Sequence, residues 1–553
     1  MKIKTNLSVL LSSFICFCLS QDITAQNLDA QFDAIVSEYY NNNDAPGAAV
    51  LVAKNGKAIY SNAFGKSNLE LDVPMTTKNV FELASITKQF TAVAILMLEE
   101  QGKLSVNDPI TNFIPDYPTQ GKTITIHHLL NHTSGIKSYT SMENLEGMAR
   151  QDMSVTELIN YFKNEPMDFD PGEAFAYNNS GYILLGYIIE ITTNDTYENF
   201  IENEIFKPLD MSNSRYGSKS EFIYNRASGY QQNESGYENA NYISMDIPYA
   251  AGSLMSTVED MLKWQNALRN NTLIKSSSLE KAINGSRLNN GEEIDYGYGL
   301  SSLVFKGSKG YAHSGGIFGF STNGIYLIDE DVYVIGLSNC SCNDIGSVTR
   351  KLAAATIGKP FPSKRNVITL TKDKLNQWVG AYEFEGGIVR HIFLEDGQLK
   401  SMRESESNTV FNIYPLSESR FMFDDGIEYK FSKLPNGKRQ VVFITDSEAT
   451  GNEVEKEMPK LKKSVELPSE ILKTYIGTYE LTPQFIITIT HEDQKLFVQA
   501  TGQPRFEIFA EKEDQFYLKV VTANIEFTKD ESGNIDGLIL YQGGQKMPAK
   551  KTE

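Results

Sequence analysis

Three short stretches carry side chains that could together attack a carbonyl carbon. In "FELASITKQFTAVAILMLEEQGKL" (81–104), Ser85 opens an apolar helical run and Lys88 follows three positions later. One helical turn separates them, so they share a face, with the serine at the positive end of the helix dipole. A lysine held among apolar neighbours loses part of its preference for the charged form and can take up or relay a hydroxyl proton. Ser-x-x-Lys alone is a weak pattern, because it recurs at Ser134/Lys137 and Ser278/Lys281. Ser134 lies in a glycine-containing loop, and Ser278 in "SLEKAIN" reads as an exposed helix start. Only Ser85 leads into a deeply apolar helix, where the competing reading is an N-cap followed by a surface charge.

The second stretch, "DFDPGEAFAYNNSGYILLGYIIEI", sets Tyr177 and Asn179 between a Pro-Gly turn and another apolar helix. A phenol ordinarily titrates near pH ~10. Beside cationic groups its phenolate becomes accessible as a general base toward serine, whereas a buried tyrosine with a satisfied hydroxyl is the plain alternative. Asn179 could bond both the lysine and a substrate carbonyl. The third stretch, "GYAHSGGIFGF", puts His313, Ser314, Gly315 and Gly316 before a strand pattern. Small residues there let an extended substrate lie close, and the N–H groups of Gly316 and Ser85 could form an oxyanion hole. His313 would supply a donor, or a charge below its ordinary pKa of about 6.5. In "TIHHLLNHTSGI", His128 and His132 are spaced i,i+4 like a metal pair, with His127 beside them. No carboxylate or third ligand follows at a useful spacing, so neither a metal nor a cofactor is expected.

The elements that must position these groups can be read around them. "GAAVLVAKNGKAIYSNAFG" predicts two strands about an Asn55-Gly56 hairpin turn. The run from Phe90 to Leu98 is apolar on nearly every side, as a helix at the centre of a large domain would be, and Gly102 stops it. Helical patterns and polar loops fill about 105–285, after which "YGYGLSSLVF", "STNGIYLI" and "VYVIGLSN" predict strands, with "DED" turning between the last two. Strands at both ends with helices between indicate one α/β domain whose termini share a sheet.

Beyond about residue 360 the pattern is strand-like throughout. "LNQWVGAYEFEGGIVRHIFLEDGQLKSM" from Leu375 can be laid over "LKTYIGTYELTPQFIITITHEDQKLFVQ" from Leu472, 97 positions on, matching Gly380, Tyr382 and Glu383 to Gly477, Tyr479 and Glu480. Such a repeat, alternating apolar and polar residues, predicts two small antiparallel barrels or sandwiches. The expected organisation is a signal peptide at 1–25, a catalytic domain at 27–358, a linker at 359–372, a β module at 373–450, a linker at 451–468 and a second β module at 469–553.

Composition bounds the rest. The chain has 553 residues, 41% hydrophobic and 22% charged, and a formal charge of −19 from 51 basic and 70 acidic side chains. That balance argues for a globular protein and against a nucleic-acid or anionic-membrane partner. Lys2 and Lys4 precede "LSVLLSSFICFCLS", which ends near Ser20 and Ala25, the layout of a secretory signal. The run is short for a membrane span, so export to the periplasm or beyond is expected, without stable membrane insertion once the signal is removed. Cys16 and Cys18 would leave with the signal. Cys340 and Cys342 in "SNCSCN" read as structural or incidental, because an i,i+2 bridge would be strained.

Taken together, "ELASITKQFTAVAILMLEEQGKL", "TIHHLLNHTSGI", "PGEAFAYNNSGYILLGYIIE", "AAGSLMSTVEDMLKW" and "HSGG" resemble the serine β-lactamase and penicillin-binding protein superfamily. They stand nearest its class C branch, which also holds D-alanyl-D-alanine carboxypeptidases, D-aminopeptidases and esterases. The resemblance runs from about residue 30 to 357. It implies a β-lactamase/transpeptidase-like α/β fold, an antiparallel sheet beside a helical subdomain with the active site between them. Carried onto this sequence, it implies Ser85 as acylated nucleophile, Lys88 and Tyr177 as the proton-transfer pair, and Asn179 as orienter. The amides of Ser85 and Gly316 would hold the oxyanion. His313, followed by Ser314, stands where class C β-lactamases usually have the lysine of Lys-Thr-Gly, a departure that resembles the peptidase members instead. The β modules resemble the D-aminopeptidase architecture and lipocalin-like barrels of related hydrolases. The resemblance thus implies an exported serine hydrolase forming an acyl-enzyme on small peptides, esters or cell-wall fragments, D-amino-acid peptides foremost. A β-lactamase or short-chain esterase, and a slow penicillin-sensor-like binding protein, are the alternatives.

Overall fold

The computed structural model describes residues 28–552 except 143–144, 234–235, 407–408, 425, 460–463, 483–484, 502–504 and 543–544, so the expected signal peptide lies outside the described residues. The chain forms two compact units that divide between Pro360 and Phe361.

The first unit is built on a six-stranded antiparallel sheet. Its strands are β1 (Ala48–Lys54), β2 (Lys57–Phe64), β3 (Ser301–Phe305), β4 (Ser308–Ile317), β5 (Phe320–Leu327) and β6 (Val332–Ser338), in the spatial order β3-β4-β5-β6-β1-β2. The two ends of the domain meet where β1 pairs with β6, from Ala48 opposite Ser338 to Lys54 opposite Val332. Asn55 and Gly56 both take positive φ, 53° and 72°, which suits the tight turn between β1 and β2.

Helix α1 (Thr87–Glu100) runs through the middle of the helical layer, with every residue from Thr87 to Leu98 buried. Its apolar side chains have neighbours all round, so burial rather than amphipathic patterning holds it. Phe90 stacks on Trp264 at 3.9 Å between ring centroids, and Thr91 Oγ1 donates to the carbonyl of Ala250 at 2.7 Å. Helix α2 (Asn179–Thr193) packs against α1 and is capped at its start by Asn178, whose side chain accepts from the Gly181 N–H. Helices α3 (Val258–Arg269) and α4 (Ile345–Thr356) both pack against the sheet. Among the described residues no helix is long and apolar enough to cross a membrane.

Two expectations need correction here. The strand predicted over "YGYGLSSLVF" begins only at Ser301. Before it the chain wraps around the first turn of α1. Gly299, at φ +69°, lies so close that a Cβ would come within 2.6 Å of the Lys88 carbonyl oxygen. Only glycine satisfies both the dihedral and the clearance. Cys340 and Cys342 are joined in a disulfide with their Cα atoms 5.1 Å apart, so the pair expected to stay unbridged closes a small loop just after β6.

The second unit consists of two closed eight-stranded antiparallel barrels, one from Gly380–Glu383 to Glu448–Val454, the other from Gly477–Thr482 to Gln545–Lys551. The first closes where Ala381 pairs with Val454, so its last strand passes the module boundary expected at 450. The repeat is physical as well as textual. Tyr382 donates to the Trp378 carbonyl at 2.8 Å and Tyr479 to the Tyr475 carbonyl at 2.7 Å. In each barrel a phenylalanine, Phe431 or Phe527, stacks on the earlier ring of that pair and meets the later one edge-on, at 5.7 Å in both cases. Buried side chains such as Ile392, Leu399 and Phe421, or Ile489, Leu496 and Phe516, fill the two interiors.

Candidate active site

Ser85 sits in a short 3-10 turn, Ala84–Ile86, that leads directly into α1. No side chain caps either segment, so Ser85 is not spent as an N-cap. Ala84 before it holds a left-handed conformation, φ 49°, a sharp bend that a non-glycine residue adopts at some cost. The bend is clamped from two directions. The Leu83 N–H donates to the Leu254 carbonyl at 2.8 Å, and Thr322 Oγ1 on β5 donates to the Leu83 carbonyl at 2.9 Å. Gly315 on β4 approaches this carbonyl so closely that a Cβ would lie 2.4 Å from its oxygen.

Lys88 is wholly buried. Its Nζ lies 3.2 Å from Ser85 Oγ, 2.8 Å from Asn179 Oδ1 and 2.9 Å from the Ala251 carbonyl oxygen. Burial pushes its pKa well below the ordinary lysine value. The partners fit the neutral amine. Two of them are oxygens that only accept, and they take the two N–H groups of an uncharged –NH2. The lone pair is then left for the Ser85 hydroxyl, which can donate to it. Asn179 is held for this task by Thr140, whose Oγ1 accepts from Asn179 Nδ2 at 3.0 Å.

Tyr177 lies beside this pair, with Lys88 Nζ 4.8 Å from its ring centroid. Its environment opposes the phenolate expected from sequence. Tyr177 is 41% exposed overall, but its hydroxyl end is enclosed beside Ser85, and this desolvation raises its pKa above the ordinary phenol value, partly offset by a hydrogen bond with Ser85. Both shifts favour Lys88 as the proton acceptor of the pair and Tyr177 as the group that donates or relays a proton.

His313 is also unlike its expected role. It is buried, and its Nδ1 lies 2.6 Å from the Ser314 carbonyl oxygen. That oxygen only accepts, so Nδ1 carries the proton and Nε2 accepts from the Tyr296 hydroxyl at 2.9 Å. Burial pushes its pKa down to about 4. His313 is thus a neutral, fully engaged imidazole and offers a substrate neither charge nor free donor. The side chain of Ser314, which follows His313 in the candidate stretch, is exposed on β4 and does not line the pocket.

Ser85, Asn179 and Gly316 do line one pocket, a cleft of about 140 Å³ open to solvent. Gly316 has open space where a Cβ would be. The two backbones expected to form the oxyanion hole therefore face the same space. His132, on the other side, is buried at positive φ, 62°, with its ring 4.3 Å from that of Tyr177. Its Nδ1 accepts from the Asn178 N–H at 3.1 Å, fixing the segment between Tyr177 and Asn179. His128 Nδ1 accepts from the Thr125 N–H at 3.2 Å, so both histidines of the i,i+4 pair serve the backbone.

The other two Ser-x-x-Lys pairs go elsewhere. Lys137 pairs with Asp168 at 2.9 Å. Ser278, expected to be exposed, is buried and donates to Glu100 at 2.6 Å, while Lys281 pairs with Glu99. Sequence reasoning missed Thr140, Tyr296 and the Ala251 carbonyl. The alternating glycines of "YGYG" were the available sign of a wrapped segment rather than a strand.

An electrostatic test follows from the Nζ contacts. Asn179→Asp would place a carboxylate in contact with Lys88 and favour its protonated form, raising its pKa. Acylation needs the lone pair, so the acid limb of the kcat/KM profile is expected to move upward by about 1–3 pH units. An unmoved limb would show that another group controls it.

The Beta-lactamase family model matches residues 32–356 of this chain, and a domain of unknown function, DUF3471, matches 461–551. Penicillin-binding protein 4* of Bacillus subtilis (strain 168) is 28% identical over 520 residues, covering 91% of this chain and 94% of its own. Among solved structures, an octameric penicillin-binding protein homologue from Pyrococcus abyssi superposes with a TM-score of 0.54 at 25% identity, over 76% of this chain and 99% of the other. D-amino acid amidase from Ochrobactrum anthropi SV3 shares the fold, with a TM-score of 0.54 at 22% identity over 60% and 99% of the two chains.

Proposed function

The chain belongs to the beta-lactamase family and is a serine hydrolase, and from that premise we propose that it cleaves amide or ester bonds through an acyl-enzyme on Ser85. The observation that carries this reading is the wholly buried Lys88, its Nζ 3.2 Å from Ser85 Oγ and within hydrogen-bond distance of Asn179 Oδ1 and the Ala251 carbonyl, a burial that favours the neutral amine. Lys88 takes the hydroxyl proton as Ser85 Oγ attacks the carbonyl carbon. The developing oxyanion accepts from the N–H groups of Ser85 and Gly316. As the C–N or C–O bond breaks, the proton returns to the leaving group through Tyr177. Water, deprotonated by the same lysine, then attacks the ester and frees Ser85.

The substrates proposed are D-amino-acid peptides or cell-wall fragments met outside the cytoplasm. The signal-like first 25 residues support the location, and the kinship with a relative named for penicillin binding supports an acyl donor related to cyclic amides. Short-chain esters are a second reading, favoured by the mainly apolar walls of the pocket. A fluorophosphonate probe on the purified full-length chain tests the acyl-enzyme. The expected result is one covalent adduct on the peptide containing Ser85, together with turnover of a nitrophenyl ester. Turnover without labelling at Ser85 would overturn the assignment.

A further inference from the structure

We infer that the substrate group filling the active-site pocket is uncharged and apolar, and that the enzyme selects against acyl donors presenting a carboxylate there. The inference rests on the Ser85 reading above and narrows its substrate class. Apolar side chains such as Leu145, Ile243, Ile317 and Phe318 make up most of the cleft, with the neutral polar groups of Thr140 and Asn179 beside Ser85, and among the described residues no charged side chain lines it. Its volume of about 140 Å³ is close to that of an engineered cavity that admits a benzene ring, so a phenyl group or a short alkyl chain fits.

Two basic side chains near the nucleophile could in principle meet a substrate anion, and neither is free to do so. Lys88 is buried and committed to Ser85, Asn179 and the Ala251 carbonyl. His313, three residues before Gly316 on β4, does not line the cleft, and both its ring nitrogens are engaged, by Ser314 and Tyr296. Lys137 and Arg226, which pair with Asp168 and Glu82, do not line the cleft either. A carboxylate entering such a pocket meets no cation, only neutral polar groups such as those of Tyr139 and Asn179 that already donate elsewhere, so little replaces the hydration it gives up. A pocket of this kind thus separates substrates by charge more sharply than by length.

The test uses two matched pairs on the full-length protein. In the first, p-nitrophenyl hexanoate is compared with the mono-p-nitrophenyl ester of adipic acid, which has the same acyl length but ends in a carboxylate. In the second, N-acetyl-D-Phe-D-Ala amide is compared with the corresponding free acid, so that the charge lies on the leaving side. Preference for the neutral member by about tenfold or more in kcat/KM, in either pair, is the expected result. Phe318→Arg is expected to narrow that ratio at least threefold by supplying the missing cation. Parity or preference for the acid in both pairs would overturn the inference, as would an unchanged ratio in the variant. Fluorophosphonate labelling of Ser85 runs in parallel, because its absence would instead remove the acyl-enzyme reading on which the inference stands.

Discussion

Lys88→Arg is expected to lower the rate of acylation by about 10⁴-fold, nearly as far as Ser85→Ala, although the substitution keeps a basic side chain. Arginine stays protonated throughout the accessible pH range, so it has no lone pair to accept the Ser85 proton. Rapid-quench measurement of acyl-enzyme formation with a nitrophenyl ester checks this, and retention of more than a few per cent of the wild-type rate would refute the neutral-lysine mechanism. Lys88→Met separates chemistry from stability. The folded pKa of Lys88 is lowered, so below the unfolded value of ~10.4 the unfolded chain binds the extra proton. Between the lowered folded pKa and about pH 10, wild-type stability should therefore climb relative to the Met variant, by about 1.4 kcal/mol per pH unit. Denaturant titrations of both proteins at several pH values would show this divergence, and parallel curves would mean that Lys88 is charged in the fold.

Gly315→Ala is the second large effect expected. The added carbon would lie 2.4 Å from both the Leu83 carbonyl oxygen and Thr322 Oγ1, and 3.1 Å from the Ala84 Cβ. The obstructing carbonyl is backbone, so β4 must move away from the Ser85 turn. That movement separates the Gly316 amide from the Ser85 amide and breaks the geometry in which one carbonyl oxygen meets both. Displacement of a catalytic group by about 1 Å costs on the order of 10²-fold in rate. Overpacking costs a further 1–3 kcal/mol or so of stability. Kinetics should show the loss mainly in kcat, with a smaller change in KM, because the pocket walls of Leu145 and Ile243 are untouched. A variant with wild-type kcat would show that the close approach has no catalytic consequence.

The parts of this site that could be read from the sequence are those written in side chains. Ser85 and Lys88 stand at the head of a helix whose apolar character announced its central position, and the sheet connecting the domain's ends followed from strand patterns on either side. The missing parts depend on contacts that no local pattern records. The Ala251 oxygen that takes one Lys88 N–H is a backbone atom 163 positions away. His313 takes a hydrogen bond from Tyr296, which the chain brings near by wrapping past α1 at Gly299 instead of extending as a strand. Desolvation of the Tyr177 hydroxyl raises its pKa, against the phenolate read from sequence, while burial lowers that of Lys88. Residue types thus named the participants, while desolvation decided which of them holds the proton.

The pairing of Ala48 with Ser338 has a consequence for how this protein comes into being. The β1–β2 hairpin emerges from the ribosome early, yet the edge of β1 finds its neighbour only after some 290 further residues have been made. Until then the strand Ala48–Lys54, apolar in nearly every residue, is a bare template for pairing with other nascent chains. Pairing of β1 with its second neighbour therefore comes only after β6 has been made.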